Sequence, residues 1–405
     1  MVLLLVFSGL LLLAVLISSR AHRTVLSTAA LFLVGGFVLG EGSLGVLEVR
    51  AEDNLVGGLA ELALFSVLFT DGMRIGLPQL RTAWRLPGRA LVFGLPLTLL
   101  VTTTLAHLVV GLPWLESLLI GAALSPTDPV FAAAIVGREE IPFRLRNLLN
   151  IESGLNDGLA LPVVVVLLAS AGAASVGGVE LLTEVLAGIA LGVGVPAAAI
   201  LLERTRFFSA ATAYEPLNAF AIGLLVLSLA LLTHANVFLA AFSAGATVAT
   251  MSPEMRQAFH QFGELVAELL KLGAVLVFGA LISLPFLSEI GVRGYIFAAL
   301  ALFAARPVAL GLALLRSKLD RKERLAASWF GPKGFASVVY GLLILEARVD
   351  FSDEMFHLVA LVVAASILAH SSTDVLVARW FEPGTGHSSA REAPAGAAQH
   401  PVSEA

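Results

Sequence analysis

Long apolar runs separated by short polar loops make up most of this chain. Thirteen runs can be counted, at 2–19, 25–40, 55–71, 89–111, 114–137, 145–171, 178–202, 215–233, 236–252, 264–284, 294–315, 325–346 and 354–379. A bilayer core takes about 20 apolar residues per helix. The runs are too long for barrel strands and lack their period of two. The pattern therefore predicts an all-α polytopic membrane protein with about 13 transmembrane helices. The first run has no positive residue before it; Arg20 and Arg23 come after it. It reads as a spanning helix rather than a cleaved signal.

Lysine and arginine mark cytoplasmic loops, so their distribution tests the count. With the N-terminus outside, 19 of the 25 fall in inside loops and three (Arg50, Arg293, Arg348) in outside loops. Lys271, Arg306 and Lys333 fall within runs. This predicts a cytoplasmic C-terminus and a multi-pass protein of the cell inner (plasma) membrane. Residues 1–380 form the membrane domain. Residues 381–405, rich in Pro, Ala, Gly and Ser, read as a short disordered cytoplasmic tail.

Composition agrees. Hydrophobic residues are 58% and charged residues 14% of the 405, against roughly 25% charged in soluble domains. Mean hydropathy is +0.92. A cytosolic enzyme and a disordered protein are excluded. A net charge of −5 without a basic patch excludes a nucleic-acid partner. With no cysteine, there is no disulfide and no thiolate site. No spaced histidine pair reads as a metal site.

Chemistry sits where lipid is expected. A charge at the membrane centre is costly, so it faces the bundle interior and usually serves function. The fifth run, GAALSPTDPVFAAAIVG, brackets Thr127 and Asp128 with Pro126 and Pro129. Each proline removes an N–H and disrupts the helix. Broken backbone at this depth must line a cavity or bind something. In the sixth run Glu152, Ser153, Asn156 and Asp157 share one helix face. Two carboxylates there need a proton, a cation or an arginine. The eleventh run carries Arg306 before Pro307. Arginine cannot shed its charge and needs a buried carboxylate. The twelfth run is interrupted by Gly331-Pro332-Lys333-Gly334. One broken helix in each half points to a transporter of inverted repeats, its site where two discontinuous helices cross. Lys333 either balances the broken-helix termini or snorkels. Asp71 reads as a funnel residue or a solvated helix end. Glu264, Glu268 and Lys271 read as an interfacial helix start. Thr103 and its neighbours back-bond to their own helix or pack on the fifth run.

At SPTDP, ESGLND, the eleventh-run arginine and GPKG, the chain resembles monovalent cation/proton antiporters of the NhaP and sodium/proton-exchanger type, over residues 1–380. The resemblance implies an NhaA/NhaP-like fold and a homodimer. It implies Asp157 as the carrier of cation and proton in turn. Asn156, Ser153, the Thr127 carbonyl, Asp128 and Asp71 would stand beside it, with Asp157, Ser153 and Thr127 as Na+ ligands. Glu152 and Arg306 would form a structural ion pair. The family's Gly-x-Arg-Gly appears here with Lys333 in place of arginine. Na+ is the leading cation, with Li+ or K+ as alternatives. No cofactor is implied beyond the transported Na+ and H+.

The residues themselves suit that role. Desolvation favours a protonated carboxylate and a nearby cation favours an ionised one, so one buried acid can hold either ion. Asparagine rather than a second acid at 156 suggests electroneutral one-for-one exchange. Two alternatives remain. An ion-coupled symporter of an organic anion also uses crossed broken helices, but needs a larger polar or aromatic cavity. An intramembrane aspartyl hydrolase would pair Asp128 with Asp157, but its Gly-x-Gly-Asp signature is absent.

Overall fold

The computed structural model describes residues 1–21, 27–41, 43–50, 53–74, 84–128, 141–172, 178–205, 207–208 and 214–381. Pro129 and the tail beyond Phe381 lie outside these residues. Among the described residues the protein is all-helical, with no strand. We number its principal helices α1 Val2–Ala21, α2 Thr28–Leu39, α3 Asn54–Arg74 and α4 Arg85–Val110. There follow α5 Trp114–Ala123, α6 Phe143–Ser170, α7 Gly178–Glu203, α8 Glu215–Leu232, α9 Val237–Met251 and α10 Pro253–Leu281. The last are α11 Val292–Ala313, α12 Arg321–Trp329, α13 Phe335–Glu346 and α14 Ser352–Ala378.

By length and composition seven of the helices can each cross a bilayer: α3, α4, α6, α7, α8, α11 and α14. Four others, α2, α5, α9 and α13, are apolar but shorter, and α1 has an apolar stretch over Val2–Ile17. The remaining long helix, α10, corrects the tenth predicted run. It begins at Pro253, eleven residues before the predicted 264, with the Ser252 hydroxyl accepting from Met255 N at 3.4 Å. Its first half carries Glu254, Arg256 and Glu264 among apolar residues, which hid it from a search for apolar runs. Glu264, Glu268 and Lys271 are thus mid-helix residues, not a helix start.

Two groups of helices emerge from the packing. In the first, α3 lies along α9 and α10, α9 along α7, and α10 along α2 and α8. Small residues permit this closeness, as in other membrane bundles. A Cβ on Gly72 of α3 would lie 3.1 Å from the Cα of Gly245 on α9, and one on Gly36 of α2 would lie 3.0 Å from the Cα of Gly279 on α10. In the second group α4 packs on α5 and α11, α5 on α6, α11 on α12, and α13 on α14.

The second group holds both broken segments. α5 ends at Ala123, and Pro126-Thr127-Asp128 continues as non-helical backbone. The other break is Phe330–Gly334, between α12 and α13. α4 and α11, each one helix earlier than the helix that ends at a break, share a device. In α4 a π-helical turn Ala90–Gly94 lies just before Pro96, and in α11 one at Ala301–Ala305 lies just before Pro307. Proline supplies no N–H, and a π turn re-pairs the backbone around the gap. α12 starts with a reciprocal cap: Glu323 N donates to Asp320 Oδ1 at 2.7 Å, and Asp320 N to Glu323 Oε2 at 2.8 Å. The buried Glu323 also accepts from Arg144 Nε of α6 at 2.6 Å, tying the second break to the helix that carries ESGLND.

The α3–α9 crossing yields a stability prediction. Gly245→Leu forces a side chain against Phe69 and Met73 backbone. Overpacking of this kind costs about 1–3 kcal/mol. The variant should melt at lower temperature in detergent; a melting temperature equal to the parent's contradicts the close crossing.

Candidate ion-exchange site

The two breaks meet through Asp128. Its backbone N–H donates to the Pro332 carbonyl at 3.0 Å. Its Oδ2 lies 3.4 Å from the Phe335 N–H, at the first turn of α13, where a helix N-terminus favours negative charge. A Cβ on Gly334 would collide with the Asp128 side chain, and one on Gly331 with the Arg306 guanidinium. Only glycine lets both groups approach the broken backbone so closely. Lys333 N donates to Ser366 Oγ of α14 at 2.8 Å.

On α6 the four polar residues of ESGLND are all buried. Asn156 Nδ2 donates to Thr127 Oγ1 at 2.6 Å, and Thr127 Oγ1 and Ser153 Oγ share a hydrogen bond of 3.2 Å. The structure thus brings Thr127, Ser153 and Asn156 together. Asp157 follows on the same face, and its backbone carbonyl accepts from the Tyr340 hydroxyl of α13 at 2.8 Å. Asp157 Oδ1 and Asn156 Oδ1 are buried and unpartnered acceptors.

Glu152, one turn before Asn156, has its own partner. Arg306 binds it with both terminal nitrogens, at 2.7 and 2.9 Å. The same guanidinium donates to the Phe330 carbonyl at 2.9 Å. Arg306 therefore clamps α6 to the end of α12, where helix carbonyls are otherwise orphaned. Lys333 is nearby and 3% exposed, too enclosed to snorkel; its Nζ has no hydrogen-bond partner.

Asp71 is also 3% exposed, which excludes a solvated helix end. It accepts from Arg74 at 3.0 Å, and Arg74 donates in turn to Glu264 of α10 at 2.8 Å. Asp71, Arg74, Glu264, Glu268, Lys271 and Asp128 line a polar cavity of about 30 Å³. That is room for a water or a small ion, and too little for an organic anion. Thr103 donates to the Leu99 carbonyl and stands against Gly121 of α5.

Sequence reasoning missed three residues here. Lys271 is 2% exposed, with Nζ 3.6 Å from Asp128. Its signal was a lysine within an apolar run, which needs a carboxylate at that depth. Tyr340 and Ser337 lie one turn apart on α13, both fully buried. No pattern separates either from a core residue.

The comparisons with known proteins fit this geometry. The sequence profile described as sodium/hydrogen exchanger, transmembrane, matches residues 9–380. The chain belongs to the sodium/hydrogen exchanger family. This is a family of transporters rather than enzymes. The chain is 27% identical over 373 residues to a K+/H+ antiporter NhaP of Alkalimonas amylolytica, covering 91% of this chain and 64% of that one. It is 26% identical over 376 residues to a K+/H+ antiporter NhaP2 of Shewanella sp. strain MR-4, covering 90% and 64%. The chain thus spans 64% of the length of these relatives. In fold it is similar to the sodium proton antiporter MjNhaP1 from Methanocaldococcus jannaschii, with a TM-score of 0.73 at 18% identity over 94% of this chain and 99% of that one.

The Glu152–Arg306 clamp predicts a stability effect. Removing one partner of a buried pair costs roughly 3–5 kcal/mol. Glu152→Gln and Arg306→Ala should each lower the melting temperature in detergent, and Glu152→Leu with Arg306→Met should recover part of the loss. A single variant as stable as the parent but unable to transport would assign the pair to the exchange chemistry instead.

Proposed function

We propose that this chain exchanges a monovalent alkali cation for H+ across a membrane, one for one, by competition of both ions for the Asp157 carboxylate. One observation carries the reading. Among the described residues five carboxylate side chains are buried: Asp71, Asp128, Glu152, Asp157 and Glu323. Four have a basic partner, namely Arg74, Lys271, Arg306 and Arg144. Asp157 has none. An acid in that position must be protonated or hold a mobile cation, because an isolated buried charge is prohibitively costly.

The neighbours support the same reading. Asn156, next to Asp157 in the chain, bonds Thr127, which bonds Ser153, and both Asn156 Oδ1 and Asp157 Oδ1 are unpartnered. Oxygen donors of this kind suit a hard cation. Asn156 adds an acceptor without a second titrating group, so one proton leaves as one cation enters. Relatives named for K+ and a structural neighbour named for Na+ leave both as substrates of the proposal, with Li+ beside them. The Glu152–Arg306 pair is assigned a structural part, because each carboxylate oxygen already has its own donor. The proposal also takes residues 1–380 as the transport unit with 381–405 as a tail, the N-terminus outside and the C-terminus cytoplasmic, in a homodimer.

In inside-out vesicles energised with a proton gradient, adding Na+ or K+ should dequench a pH dye in the parent and not in Asp157→Asn, at equal expression. Retained exchange in that variant overturns the assignment. Stoichiometry has its own test. A membrane potential set with a lipophilic cation gradient should leave the exchange rate unchanged. A potential-driven pH change that requires Na+ or K+ would show net charge movement and discard the one-for-one reading.

A further inference from the structure

The ion pair of Lys271 with Asp128 has no part in the scheme above, and its placement is specific. Lys271 stands on α10, within the helix group of α2, α3, α8 and α9. Asp128 is fixed in the other group, bonded to Pro332 within the second break and to Phe335 just after it. The pair therefore crosses from one helix group to the other. Both residues line the polar cavity beside Asp71. Asp71, Asp128 and Lys271 are also the charged groups that act on Asp157, which does not itself line that cavity.

Lys271 also has a second anchor. Glu268, one turn earlier on α10, lies 3.3 Å from the same Nζ, and its side chain is one-third exposed. That is nearer than Asp128 at 3.6 Å, so the ammonium already bridges the two carboxylates and is not isolated when the Asp128 contact is lost.

We propose that Lys271 is a tethered competitor of the transported cation, bridging Glu268 and the Asp128 carboxylate until an entering cation takes its place on Asp128 and leaves the ammonium on Glu268. Lys271 is a positioning and affinity-setting residue in this scheme, because it does not bind the cation. No covalent bond changes, and charge balances throughout. The inference rests on the exchange reading given above.

The test is the concentration dependence of cation-driven proton flux in vesicles, measured as KM and maximal rate for Na+ and for K+. Lys271→Met removes the competitor, so KM should fall by roughly tenfold, the lower end of coupling energies for close charge pairs. Lys271→Arg keeps the charge and should restore the parent's KM. Glu268→Gln removes the second anchor, strengthens the hold on Asp128 and should raise KM. Being partly exposed, this position tolerates the change, so the test survives if Lys271→Met does not fold. A parent-like or raised KM in folded Lys271→Met, or a parent-like or lowered KM in Glu268→Gln, overturns the proposal. A parent that exchanges no alkali cation for H+ overturns the exchange reading along with it, whereas unchanged KM values in actively transporting variants overturn the tethered competitor alone.

Discussion

A carboxylate in hydrocarbon cannot keep its charge alone. That constraint organises the polar interior of this protein. Glu152 takes both ends of the Arg306 guanidinium, Asp71 takes Arg74, Asp128 takes Lys271, and Glu323 takes Arg144. Three of these pairings join different segments, and the Asp71–Arg74 pair lies within α3. Arg306 is held by α6 and by the carbonyl end of α12 together. Through Arg74, the end of α3 reaches Glu264 on α10. What remains among the described residues after these pairings is Asp157, a buried acid with no basic partner, and the proposed exchange rests on it.

The broken helices follow from the same physics. Backbone groups released by proline at 126 and 332 must be satisfied inside the membrane. The structure does this by laying one break against the other, Asp128 N to Pro332 O, and by placing the Asp128 carboxylate at the start of α13. Glycines at 331 and 334 make room for Arg306 and Asp128. The crossing thus brings Thr127 to within 2.6 Å of Asn156, and the tyrosine of α13 to the carbonyl of Asp157.

Much of this was legible in the sequence because charge and proline stand out against apolar runs. SPTDP, ESGLND, Arg306 and GPKG announce two breaks, one polar helix face and one arginine in need of an acid. Membrane spans that are apolar throughout were found within a few residues of their ends. α10 was not, because its first half is amphipathic and reads as loop by hydropathy alone. That error hid the place of Lys271, and with it the Asp128 pair, whose members lie 143 positions apart in the chain. Tyr340 and Ser337 were illegible for the opposite reason. A tyrosine or serine in an apolar helix is ordinary, and only the crossing with α6 gives Tyr340 its partner.

The central claim is that one carboxylate holds either a proton or a cation. Its most direct measurement is proton release from purified protein in weakly buffered detergent on addition of saturating Na+ or K+. The account predicts about one proton per chain from the parent, at a pH where the acid is protonated before cation is added, and none from Asp157→Asn. No release from a protein that transports, about two protons per chain, or undiminished release from Asp157→Asn would contradict it.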